Sequence, residues 1–127
     1  MSDTNDTLTF TENGKEITIT MYAGVLGKIG RAIGGPESLD KLAYDTELQE
    51  KLVETVLTKY DSNGNPCGTH CDLFNLSVDN FSNILSWGVE NYSLFIVKSS
   101  RNMLEKMSKL QKEIMEAEKT LTPTNNG

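Results

Sequence analysis

The stretch LSVDNFSNILSWGVENYSLFIVKSS, Leu76 to Ser100, decides how the rest of the chain reads. Ser77 is an N-cap residue type, and Asp79 falls in the first turn, where the helix dipole favours a negative charge. Leu76 is placed to staple onto Phe81. From that start Val78, Phe81, Leu85, Gly88, Tyr92 and Phe95 recur at alternating spacings of three and four, with Ile84 and Ile96 widening the stripe. One face of a helix is therefore apolar and must be covered, by the core of a small helical domain or by something outside it.

The pattern continues past Ser100 without a strong breaker. Met103, Met107, Leu110, Ile114, Ala117 and Leu121 step by four and three like one edge of a heptad seam, while Lys98, Arg101, Lys106, Lys109 and Lys112 stand outside it with Glu105 and Glu113. This predicts a helical extension over about residues 98–118, with Gly88 and Asn91 as the places for a bend or a break, and a flexible tail over 119–127 that ends in TPTNNG. A methionine-bearing seam suits a core, self-association into a homo-oligomer, or a partner's apolar surface, to which methionine adapts.

Upstream, residues 1–7 are all small or polar apart from the initial methionine and read as a disordered leader. Residues 8–20 read as a β-hairpin, because Asn13-Gly14 lies between β-formers and Ile17 and Ile19 share one face against Thr18 and Thr20. A lone hairpin is marginal in water, so it must lean on the helices. In MYAGVLGKIGRAIGGP the apolar side is Val25, Leu26, Ile29 and Ile33, and Gly34-Gly35-Pro36 ends the helix. Its internal glycines weaken it by about 1 kcal/mol each relative to alanine, so close packing or a loop function must compensate. Pro36 opens a short helical turn. Asp45 or Thr46 caps a further helix in which Leu48, Leu52, Val56 and Tyr60 lie four apart, beside Val53 and Leu57. DSNGNPCGTHCD, from Asp61 to Asp72, reads as a turn-rich loop. The sum is a mainly α single domain over 8–118 with an N-terminal hairpin and a long C-terminal helix.

Composition narrows function. The chain has 127 residues, 12 Lys+Arg against 18 Asp+Glu, and net charge −6, which opposes a polyanion-binding footprint over the whole surface and suits protein partners. No apolar run is long enough to span a membrane, and the acidic MSDTNDTLTF lacks a signal-peptide pattern, so a cytoplasmic setting is expected. Cys67 and Cys71 are then thiols.

Four chemistries compete for the remaining residues. Cys67, His70 and Cys71 supply three potential zinc ligands within five residues, but a structural site usually takes four ligands from two separated knuckles, so no metal is expected. Asp61, Asn63, Asn65 and Asp72 have the spacing of calcium-loop oxygens, yet Pro66 stands where that loop needs glycine. VLGKIGRAI resembles the KH signature, with Gly27, Lys28 and Gly30 as the clamp on a nucleic-acid backbone and Arg31 beside it; further strands are missing where a KH domain needs them. Catalysis has little to use, since His70 is the only histidine and no paired-carboxylate or Ser/His/Asp arrangement has recognisable spacing. A non-enzymatic protein without a cofactor is expected.

In order, a polar leader, the hairpin of TFTENGKEITITMYAGVLGKI running into a helix, a helix pair, a turn-rich loop, and the Ser-x-Asp-started helix with Trp87, Gly88 and Tyr92 to Phe95 before a charged tail, the chain resembles the small tail assembly chaperones of tailed bacteriophages. That resemblance implies a host-cytoplasmic protein that coats the tape measure protein until major tail protein subunits polymerise around it. It carries no catalytic residues over. The partner-binding candidates on the residue pattern are Trp87, Tyr92, Phe95, Met103, Met107, Leu110 and Ile114, which either hold the helices together or touch the client.

Overall fold

A computed structural model describes residues 6–121, and the order of elements is β1 (Thr7–Glu12), β2 (Lys15–Thr20), α1 (Ala23–Ile33), two short 3-10 turns (Pro36–Ser38 and Asp40–Ala43), α2 (Thr46–Leu57), β3 (Thr58–Tyr60), β4 (Pro66–Thr69) and α3 (Val78–Leu121). The mainly α class with an N-terminal hairpin and a long last helix is what the sequence predicts. The chain divides at Phe95/Ile96 into two compact units.

In the first unit β1 and β2 pair antiparallel with Glu12 opposite Lys15, which leaves Asn13 and Gly14 as a two-residue turn. Both have positive φ, 54° and 75°, the condition of a type I′ turn and the reason for Asn-Gly here. Phe10, Ile17 and Ile19 are buried on one face, and on the other Thr9 and Thr18 hydrogen-bond at 3.0 Å. The ordered strand begins at Thr7, and Asp6 accepts a backbone hydrogen bond from Met21, so the expected leader is shortened; residues 1–5 lie outside the described residues. At the other end helix extends to Leu121, beyond the expected start of a tail at 119; residues 122–127 also lie outside them.

Helix α1 buries Leu26, Ile29 and Ile33 and ends at Gly34, whose φ of 90° is left-handed and whose N–H donates to Gly30 O. Asp45 caps α2 by accepting from the N–H groups of Glu47 and Leu48, and Leu52, Val53, Val56 and Leu57 form its buried side. Tyr60, expected as the last residue of that helix's stripe, belongs instead to β3. The chain turns there because Asp61 Oδ1 accepts from the N–H groups of both Asn63 and Asn65 at 2.9 Å. This turn closes a second antiparallel hairpin, β3–β4, where a plain loop is expected; Cys67 is its extra residue, since Lys59 faces Gly68 and Tyr60 faces Pro66.

Ser77 Oγ accepts from Asn80 N–H, so the predicted cap of α3 is in place. Glu12 ties the hairpin turn to this start: its Oε1 accepts from Asn80 Nδ2 at 2.8 Å and from Ser77 N–H at 3.3 Å, and Asn80 Nδ2 also donates to Thr11 O. The carboxyl is held below the usual glutamate value, chiefly by the Asn80 hydrogen bond and then by Ser77 N–H.

The buried stripe of α3 is Ile84, Trp87, Gly88, Asn91 and Tyr92. It is rotated from the expected one, for Val78 is exposed and Ile84, expected at the margin, is fully buried. The helix does not break at Gly88 or Asn91. Gly88 lies where a Cβ would stand 2.6 Å from Leu52 Cδ2, and Asn91 Nδ2 donates to Trp87 O at 3.0 Å. The missing side chain lets α2 approach, and the asparagine amide is held by a carbonyl one turn back in the same helix. Gly30 does the same service for α1: a Cβ there would meet Tyr92 Oη at 2.9 Å.

Candidate functional site

Beyond Phe95 the exposure of α3 changes character. Every residue from Val97 to Thr120 is exposed, apolar ones included. Met103, Met107, Leu110 and Ile114 are between 50% and 57% exposed, and Leu104 and Met115 are more so. A helix end with only solvated polar residues would need no partner. Here an apolar row keeps the four-three rhythm of a coiled-coil seam, with Met103, Leu110 and Ala117 at one core position and Met107 and Ile114 at the other. Among the described residues nothing covers it. Removing such side chains from water is worth about 25 cal/mol per Å², so covering this row would be favourable.

The sequence-based candidates therefore separate. Trp87 and Tyr92 are 6% and 3% exposed and belong to the core, where they hold helices together; neither is open to solvent. Burial holds the Tyr92 hydroxyl's pKa above its usual value, and the Glu37 carboxylate adds to this. Phe95 is half-buried. Met103, Met107, Leu110 and Ile114 are the ones that face solvent.

The expected nucleic-acid clamp is not a loop. Gly27, Lys28 and Gly30 lie inside α1, Ile29 between them is fully buried, and Gly30 is closed by Tyr92. Lys28 Nζ sits 4.9 Å from the centre of the Tyr60 ring, a cation–π arrangement, and only Arg31 of this set is exposed. The two sheets have two strands each, so no three-stranded sheet stands behind the motif among the described residues.

Cys67 is exposed on β4, while Cys71 and His70 are partly covered. Burial raises the Cys71 pKa, and the carboxylates of Glu12 and Asp72 add to it, so its thiolate is disfavoured. His70 is shifted down, first by burial and then by the Lys59 charge. Among the described residues no three His, Cys, Asp or Glu side chains gather as a metal site would require. Asp61 spends the same oxygen on two backbone N–H groups, a turn-forming use rather than a cation-binding one.

A second apolar surface was not apparent from the sequence. Phe74 is 93% exposed and Val78 83%, and with Leu73, Leu76 and Phe81 they border a cleft of about 570 Å³ against Gln49 and Glu50 of α2. Asp72 Oδ1 accepts from Phe74 N–H, an Asx turn that carries the ring outward. The signal available was an aromatic one step past Asp-Leu in a segment with no periodicity.

Compared with family models, curated proteins and solved structures, the chain matches none. No helix among the described residues is long and apolar enough to cross a membrane.

Proposed function

We propose that this protein is a non-enzymatic, protein-binding assembly chaperone that shields the apolar stripe of a long helical client by laying α3 against it. The observation that carries this reading is the exposed Met103, Met107, Leu110, Ile114 row on a 44-residue helix. Helix-in-groove or helix-on-helix recognition uses such anchors, and methionine lets one surface accept varied stripes along a client. Many weak copies on one long client add up by avidity, so no single pairing needs high affinity. By its resemblance to small tail assembly chaperones, the client is a phage tape measure protein, the later partner the major tail protein, and the setting the host cytoplasm. The acidic balance, net −6, supports a role in keeping such a client soluble.

The test is co-purification of the tagged full chain with a tape measure protein and a major tail protein, after nuclease treatment and at moderate salt. Retention of the tape measure protein by the native chain and its loss with Met107→Lys, at unchanged helix content, is the expected result. Equal retention by Met107→Lys removes the seam from the mechanism. Retention of nucleic acid alone, when nuclease is omitted, overturns the reading and returns the question to Lys28 and Arg31.

A further inference from the structure

The exposed segment of α3 has a complementarity with itself. Assigning Met103, Leu110 and Ala117 to heptad position d and Ser100, Met107 and Ile114 to position a puts Lys106 and Glu113 at position g, on the same flank of the seam. In an antiparallel pair of identical helices the g positions meet each other across the core. With Met107 opposite the second copy's Leu110, and Met103 opposite its Ile114, Lys106 falls beside the second copy's Glu113 and Glu113 beside its Lys106. Both pairs are favourable. In a parallel pair g meets e, so Lys106 faces an uncharged Gln111 and Glu113 faces Glu118, a like-charge contact made twice.

Charge order along the segment argues the same way. Lys98, Arg101, Lys106, Lys109 and Lys112, interrupted only by Glu105, come first, and Glu113, Glu116 and Glu118 follow, before Lys119. Parallel copies set the mainly basic stretch against itself and the mainly acidic one against itself, whereas reversed copies bring each towards the other. The core layers are also complementary in size, because Ala117 meets Ser100, small against small, at each end, while the Met, Leu and Ile layers occupy the middle.

We infer that α3 pairs with the α3 of a second copy of this chain, antiparallel, through residues 100–117, and that this pairing covers the Met103–Ile114 row when no other helix does. The pair is weak, since the terminal layers bury little and the methionines specify poorly. A helix with a better apolar stripe displaces the second copy from the same seam. Self-pairing and client binding compete, and neither requires the other.

Sedimentation equilibrium of the full chain at low ionic strength tests this. A monomer–dimer equilibrium is expected, weakened about tenfold by either Lys106→Glu or Glu113→Lys and regained in the double variant, which restores both pairs in the swapped sense. Lys112→Glu changes net charge as Lys106→Glu does but at an outward position, so it should leave the equilibrium within about twofold. Helix content by circular dichroism checks that each variant is folded. A chain that stays monomeric up to about 1 mM overturns the inference and leaves client binding to its own test. Tightening by Glu113→Lys, which relieves the parallel Glu113–Glu118 contact, also overturns it in favour of parallel pairing, and equal effects of Lys106→Glu and Lys112→Glu overturn the register.

Discussion

Helix α3 carries two apolar rows of the same periodicity with opposite fates. From Ile84 to Tyr92 the row is buried against the chain's own α1 and α2; from Met103 to Ile114 it is in solvent. The difference lies in what accompanies the apolar residues. The first row contains Gly88, which admits the Leu52 side chain, and two aromatics, Trp87 and Tyr92, whose bulk fills a fixed space. The second has no glycine, three unbranched methionines counting Met115, and charges on both flanks. Periodicity states only that a face will be covered. Here glycine and aromatic rings accompany the row that is covered within the chain, and adaptable side chains rimmed with charge accompany the row left in solvent.

One residue type placed in both rows gives the largest expected contrast. Ile84 is fully buried, whereas Ile114 is 51% exposed. Ile84→Ala should lower unfolding stability by about 2–5 kcal/mol, from lost transfer energy and the cavity left behind. Ile114→Ala should change it by less than about 0.5 kcal/mol while weakening whatever associates with the seam. Urea unfolding of both variants, followed by circular dichroism, decides. Similar losses for the two would mean that the second row is packed in the isolated chain and would dissolve the comparison.

Gly88→Val comes next. A Cβ at Gly88 would already stand 2.6 Å from a methyl of Leu52, a side chain with no exposed surface to retreat into. Valine's higher helix propensity gains a few tenths of a kcal/mol, and overpacking costs about 1–3, so the sum is destabilising. The unfolding midpoint should fall; a rise would show that Leu52 can move, and that the glycine is there for another reason.

This glycine also shows where the sequence stops being readable. As a residue type it announces a weak point in a helix, and a bend or break at Gly88 is the local reading; its actual use depends on Leu52, thirty-six positions away, which no local pattern reveals. The elements that were legible rest on local chemistry: the positive-φ turn of Asn13-Gly14, the Asp45 cap and the Ser77 cap. The β3–β4 hairpin was not, because its turn is made by one aspartate side chain bonding two backbone groups, and the same Asp-x-Asn-x-Asn spacing also spells a cation loop. For the site, the row itself was visible and the solvent on it was not. Val78 and Tyr92 share one stripe on a helical wheel, yet one is exposed and the other buried, and only the packed partner elements separate core from surface.

The link between the hairpin and the start of α3 sharpens the account of the buried half. Asn80→Ala removes the hydrogen bonds to Glu12 Oε1 and Thr11 O. The loss should be smaller than for Gly88→Val, because these groups can turn to water. The pH profile carries the specific sign. A glutamate whose pKa is lowered by folding contributes stability above its unfolded pKa, and that contribution is lost as pH falls through the lowered folded value. The native chain should therefore lose more stability on acidification in that window than Asn80→Ala does. Equal acid limbs in the two urea series would place the shift elsewhere than on Asn80.

His70 gives the smallest effect and the opposite residue class. Its backbone N–H donates to Leu57 O at 2.7 Å, which fixes it beside β3, and burial together with Lys59 disfavours the imidazolium. The folded chain then binds less proton than the unfolded chain between the lowered value and the ordinary one, so stability rises with pH across that interval and is lost as pH falls through it. His70→Gln should flatten the midpoint just below the ordinary histidine value without touching the lower window set by Glu12. Because the ring is partly solvated, water screens the penalty and the slope should be shallow. A nuclear magnetic resonance titration of His70 with a pKa above the ordinary histidine value would reverse the sign, and would mean that a carboxylate rather than Lys59 dominates the charge around the only histidine in the chain.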